Sequence, residues 1–200
     1  HGTSRRQRQM CIRDSACSMR WFWIDCFTEF VSRTRATAIK NVTLSEPHVV
    51  DYVPSFSQLS QSLVVEGIAQ TGGLLVGQAK NFEARVVLAK LAKARFLRPA
   101  LPGETLTYDV TIQSLQPDGA IVSGKSHIGD ELQAEIDIMF ACLDDRFQGV
   151  ELFEPAAFLR LLRSMKIFEV GVNEDGSKIE VPPHLLEAEQ QSFPATPVNS

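Results

Sequence analysis

From Leu63 to Ala79 (LVVEGIAQTGGLLVGQA) apolar residues fall on nearly every side of the helix they predict. A helix without a polar face belongs inside a protein. Its glycines, Gly67, Gly72, Gly73 and Gly77, each cost about 1 kcal/mol relative to alanine in a helix interior. That cost is tolerable where a sheet must approach closely. Ahead of it, Trp21 to Val31 is rich in aromatic and β-branched residues, Ser32 to Arg35 is polar, and Ala36 to Thr43 reads as a second strand. The two predict a hairpin. Ser45–Glu46–Pro47 is a turn signal, and His48 to Ser62 has little period.

After a polar break at Lys80 to Glu83, four more strands are predicted: Arg85 to Leu97, Thr105 to Gln113, Ala120 to Ile128 and Leu132 to Cys142. Thr105 to Gln113 alternates strictly, with Leu106, Tyr108, Val110 and Ile112 on one face. The breaks at PALPG, QPDG and Gly129–Asp130 are turns by composition. Strands joined by short turns predict an antiparallel meander. One apolar helix wrapped by such a sheet predicts an α+β domain over residues 19–147.

Residues 148–200 differ in character. Glu154–Pro155 before Ala156, Phe158, Leu159, Leu161 and Leu162 marks a helix start with proline near its first position. Asn173 to Gly176 is a turn, Val181 to Gln191 a second short helix, and the tail from Ser192 is expected to be disordered. Arg160, Arg163 and Lys166 predict a solvated face on this appendage. Residues 1–18 (HGTSRRQRQMCIRDSACS) are basic, polar and without period. They resemble translated adapter sequence and are set aside from fold reasoning as a disordered or foreign leader.

Composition narrows the partners. The net charge is −4, and no basic stripe interleaved with aromatics is present, which argues against nucleic acid. No apolar run is long enough to span a bilayer. Cys11, Cys17, Cys26 and Cys142 form no CxxC pair and the four histidines lie far apart, so neither a metal site nor a cofactor is expected. The thiols suit a reducing, cytoplasmic setting.

Glu66 is the candidate for chemistry. It is the only ionisable side chain between Tyr52 and Lys80 and sits amid Leu63, Val64, Val65, Ile68 and Ala69. A carboxylate is costly to ionise in such a place, which suits a general acid. Gln70 lies one turn on and is placed to hold it. The alternative is that Glu66 points out at a helix end or interface and is merely solvated.

The run from Glu46 to Gln70, EPHVVDYVPSFSQLSQSLVVEGIAQ, resembles the signature EPFFxGHFPGxPxxPGVLxxEAMAQ of the 3-hydroxyacyl-acyl-carrier-protein dehydratases of fatty acid synthesis. It keeps Glu46, Pro47, Pro54, Leu63, Glu66, Ala69 and Gln70. Ala94 to Gly103 (ARFLRPALPG) is similar to that family's ARFKRPVxPGD. The resemblance, over about residues 20–145, implies a hotdog fold, a dimer or an oligomer of dimers, and acyl tunnels at the subunit interface. It implies elimination of water from a 3-hydroxyacyl thioester carried by acyl carrier protein or coenzyme A. Glu66 falls on the family glutamate that assists departure of the C3 hydroxyl. Gln61, Ser62 and Gln70 fall at the substrate-binding start of the helix. The family histidine that takes the C2 proton is replaced by Tyr52.

Tyrosine, with a reference pKa near 10, is a poor proton acceptor at neutral pH. Gln61 stands where the family uses a glycine beside the thioester oxygen. His48, four residues before Tyr52, reaches the same point only in a rebuilt loop. The resemblance leaves three readings: a dehydratase-like enzyme, an acyl-thioester-binding partner that has lost the base, or a hydrolase on the same fold.

Overall fold

The computed structural model describes residues 22–46, 57–143 and 154–192. Two strands, β1 (Cys26–Val31) and β2 (Arg35–Asn41), form an antiparallel hairpin. Helix α1 (Gln61–Gln78) follows, then β3 (Arg85–Phe96), β4 (Thr105–Gln116), β5 (Gly119–Ile128) and β6 (Glu131–Leu143). The C-terminal part adds α2 (Pro155–Ser164), a one-turn α3 (Ile167–Val170), a two-residue β7 (Gly171–Val172) and α4 (Pro183–Ser192). The strands make one seven-stranded sheet in the order β3-β6-β5-β4-β2-β1-β7. This is the expected α+β layout, with the sheet wrapped around α1.

The meander is only partly realised. β4, β5 and β6 follow one another as neighbours, because their two-residue connections at Pro117–Asp118 and Gly129–Asp130 leave no alternative. β3 is not next to β4. It lies on the far edge against β6, and the Leu97–Glu104 connector carries the chain back across the sheet to β4, where β2 takes the other side. An eight-residue connector does not force adjacency, so composition alone could not place β3. The connector is held by Arg98, which bonds Glu131 at 2.8 Å and pairs with Glu104. Leu97 N–H donates to the carbonyl of Gln133 at 2.8 Å.

Burial follows the alternation. Leu106, Tyr108 and Val110 of β4, Val122 of β5 and Ile136 and Ile138 of β6 are all at most 1% exposed and face α1. The helix answers with Val64, Ile68, Leu75 and Val76, also at most 1% exposed. Two glycines set how close the layers come. A β-carbon on Gly67 would fall 2.3 Å from the Tyr108 ring, and one on Gly124 of β5 would fall 2.3 Å from Ile68. Burial also pushes the Tyr108 hydroxyl well above the usual phenol range, so it stays neutral in the core.

The C-terminal segment begins as expected. Glu154 caps α2, its carboxylate accepting from the amides of Ala156 and Ala157 at 2.9 and 2.7 Å. Amphipathicity then decides its place: Leu159, Leu162 and Ile167 join the same buried cluster as Phe27 and Phe30. Arg163 bonds Glu189 of α4 at 2.5 Å rather than facing only solvent. No local pattern announces α3 or β7, which pairs parallel to β1 through Phe30–Gly171 and Val31–Val172. A two-residue strand has no period to detect.

Substitution at two helix glycines separates close approach from helix propensity. Gly67→Ala is expected to lower the unfolding free energy by about 1–2 kcal/mol, the overpacking cost exceeding the propensity gain. Gly73→Ala, whose methyl would meet Phe140 at an ordinary 3.5 Å, is expected to be neutral or to stabilise by up to about 1 kcal/mol. Urea titration of the two variants checks this; equal effects would contradict it.

Candidate active site

A second face of α1, beside the one packed on β4 and β5, carries Glu66, Ala69, Gln70, Gly73, Leu74 and Gly77, one stripe at helical spacing. That stripe lines a cavity of about 540 Å3. The opposite wall comes from Phe22, from Phe82 and Val86 around the start of β3, and from Phe140 of β6. The helix is therefore apolar on most sides for two reasons: one face packs directly on the sheet, and the next meets a cavity that β3 and β6 help to wall. Glu66 is half-buried, not sealed in the core. It lines the cavity rather than standing in open solvent.

Gln70 fixes the Glu66 side chain. Its Oε1 accepts the backbone N–H of Trp23 at 2.8 Å and that of Ile24 at 3.4 Å. A backbone N–H can only donate, so the amide oxygen must point there and the NH2 must point the other way. Gln70 Nε2 accordingly donates to Glu66 Oε1 at 2.8 Å. The bond ties the carboxylate to the segment entering β1, which lies forty-six and forty-seven residues before Gln70 in sequence.

The other sequence candidates separate into two groups. Gln61 and Ser62 are exposed at the N-terminus of α1 and do not line the cavity. The helix's own bonding starts with Leu63 and Val64, whose amides donate to the Ser60 carbonyl at 2.9 and 3.3 Å. The amides of Gln61 and Ser62 thus lie at the open, partially positive end of the helix. Tyr52 and His48, with Pro47 and Pro54, lie outside the described residues. His127 is elsewhere, its Nδ1 3.1 Å from Asp109 Oδ2, between β4 and β5.

The first motif residue, Glu46, has a structural partner. Its Oε1 accepts from Lys40 Nζ at 2.5 Å, and the ammonium, with its side chain 7% exposed, sits 4.7 Å over the Trp23 ring. Removing one partner of so buried a pair is expensive, since the other charge stays behind. In the second motif, the Ala100 carbonyl accepts the Leu59 amide at 2.8 Å and so fixes the approach to α1. Among the described residues no group of three His, Cys, Asp or Glu side chains could hold a metal ion, and no helix is long and apolar enough to cross a membrane.

A family model described as FabA-like domain matches residues 24–135. The chain belongs to the FabA-like domain family. A 3-hydroxyacyl-[acyl-carrier-protein] dehydratase FabZ of Desulforamulus reducens is 33% identical over 119 residues, covering 59% of this chain and 84% of that protein. One of Symbiobacterium thermophilum is 34% identical over 122 residues, covering 60% and 86%. Solved structures agree on the hotdog fold. An uncharacterized protein of Pyrococcus horikoshii superposes with a TM-score of 0.52 at 17% identity, covering 64% of this chain and 88% of its own. A Streptococcus mutans protein bound to acetyl CoA does so at 0.51 and 14%, covering 63% and 94%. The FabA-like match ends before α2, so the C-terminal helices lie beyond the family domain.

Neither Phe82 nor the C-terminal cavity residues Phe158, His184 and Leu185 stood out in the sequence. Only the fold brings them to the stripe, and no local pattern marks them.

The clamp can be tested directly. Gln70→Leu keeps the shape but takes the acceptor from Trp23 and the donor from Glu66. It is expected to lower the unfolding free energy by about 1–3 kcal/mol, measured in urea. An unchanged value would mean that the bond contributes nothing.

Proposed function

We propose that this chain is a 3-hydroxyacyl thioester dehydratase-type hydro-lyase of fatty acid synthesis, with Glu66 as its acid. The observation that carries this is the placement of a held carboxylate at a largely apolar cavity, within a FabA-like domain. The cavity is of ordinary size for a small-molecule site. The substrate is an acyl chain on a carrier phosphopantetheine or on coenzyme A.

In the reaction a base removes the C2 proton and the C3–O bond breaks. The Glu66 carboxyl gives a proton to the departing hydroxyl. Water and a C2–C3 double bond result, and Glu66 is left as carboxylate. The Gln70 amide donates to that carboxylate and steadies it as charge develops. The amides of Gln61 and Ser62 at the start of α1 suit a thioester oxygen that gains negative charge.

Tyr52 stands at the position of the family base. A phenol there accepts a proton poorly, and the absence of one positioned base costs about 10²–10⁴ in rate. This favours a second reading, an acyl-thioester-binding subunit that lends Glu66 to a partner with an intact base. Enoyl formation from a 3-hydroxyacyl thioester separates the two. Wild type is expected to turn over slowly, Tyr52→His to gain about 10²-fold or more, and Glu66→Gln to lose about 10²–10⁴-fold relative to its parent. If Glu66→Gln leaves the rate unchanged in a turning-over background, Glu66 is not the acid.

The same reading includes a homodimer. β3 is a sheet edge, and Leu88 and Leu91 on it are 46% and 42% exposed. Their register partners Phe140 and Ile138 face α1, so both leucines face the concave side. A bulge between Leu88 and Lys90 makes this possible, since residues three apart otherwise face opposite ways. An uncovered apolar strip on an open edge suits pairing with a second copy. Wild type is expected to sediment as a dimer and Leu88→Asp/Leu91→Asp as a folded monomer. A wild-type monomer would refute the dimer.

A further inference from the structure

The cavity that holds Glu66 is not closed by the family domain alone. Pro155 and Phe158 of α2 and His184 and Leu185 of α4 form part of its wall. All four lie outside the 24–135 match. Their place along the cavity follows from a short chain of contacts. Phe158 packs edge-on against Phe82, with ring centroids 5.5 Å apart and planes at 80°. The Phe82 amide donates to the carbonyl of Gly77 at 2.7 Å. Gly77 is eleven positions beyond Glu66 in α1, which is about 16 Å along the axis at 1.5 Å per residue. Phe158 therefore stands at the opposite end of the stripe from the carboxylate.

The wall is anchored. Arg163 of α2 bonds Glu189 of α4 at 2.5 Å. Phe158 is 8% and Leu185 2% exposed, and both belong to the buried cluster that includes Leu159 and Leu162. Between the carboxylate and this wall the lining is Ala69, Gly73, Leu74 and Phe140, without a charge. Next to Phe82 come Glu83 and Arg85, which also reach the cavity. A hydrocarbon chain that passed the aromatic pair would meet charged groups.

We infer that the C-terminal helices, through Phe158 and Leu185, form the stop that sets how long an acyl chain the Glu66 cavity accepts. This rests on the proposed acyl-thioester reading of the cavity. Phe158 and Leu185 are specificity-determining, not catalytic, because they meet the far end of the chain. One surplus or missing methylene in an apolar pocket changes kcat/KM by about 10–200-fold, so a rigid stop gives a sharp length limit.

Two measurements on the full chain test the stop independently of the chemistry. The first follows enoyl formation from 3-hydroxyacyl pantetheine thioesters, from hydroxybutanoyl to hydroxypalmitoyl. The second measures binding of unreactive S-alkyl pantetheine thioethers of matching lengths by calorimetry. Phe158→Ala is expected to raise the long-to-short ratio in both by about tenfold or more. Phe158→Leu, which keeps most of the buried volume, is expected to shift it the same way by less. It carries the test if the alanine variant fails to fold. A shifted thioether profile without enoyl from any substrate upholds the stop and refutes the dehydratase reading. Turnover with an unshifted profile does the reverse. Binding of no thioether by wild type refutes the stop.

Discussion

The approach of α1 to the sheet at Gly67 governs the rest of the structure. No side chain fits between that backbone and the Tyr108 ring, so the helix cannot turn about its axis without a clash. With Gly67, Ile68, Thr71, Gly72, Leu75 and Val76 packed on the sheet, the stripe from Glu66 to Gly77 must turn toward the cavity walled by β3 and β6. A helix has only 3.6 residues per turn, and fixing one face fixes every other. The acidic group is thus aimed by packing on a different face of the helix from its own. Gln70 then supplies the final constraint, because its amide is oriented by two backbone donors before it meets the carboxylate.

Where physical signals are local, the sequence disclosed them. The all-round apolar character of residues 63–79 marked α1 to within two residues at its start. Strict alternation from Leu106 to Ile112 gave the buried face of β4 correctly. Glu154–Pro155 marked the start of α2 through the capping it performs. Glu66 and Gln70 were legible as a pair because i and i+4 share a helical face. What was not legible depends on distant partners. Nothing local places β3 beside β6, since its connector is long enough to lead either way. β7 is too short for any pattern. Phe82 and Phe158 are ordinary aromatics until the chain brings them together from seventy-six residues apart.

The site itself divides in the same manner. The motif from Glu46 to Gln70 combines residues of different kinds. Glu46 braces the core through Lys40, whereas Glu66 faces the cavity. Gln61 and Ser62 stay at the helix N-terminus, where backbone amides rather than their side chains have something to offer. A family signature thus records structural and chemical needs together, and only geometry sorts them. The C-terminal helices add a third contribution, a wall built outside the family domain but packed into its core.

The most direct measurement is a crystal structure with a stable amide analogue of a 3-hydroxydecanoyl pantetheine thioester. The account predicts the C3 hydroxyl about 3 Å from the Glu66 carboxylate, with the chain running along Gly73 and Leu74 toward Phe158. An acyl chain lying outside this cavity, or a hydroxyl out of reach of Glu66, would contradict it.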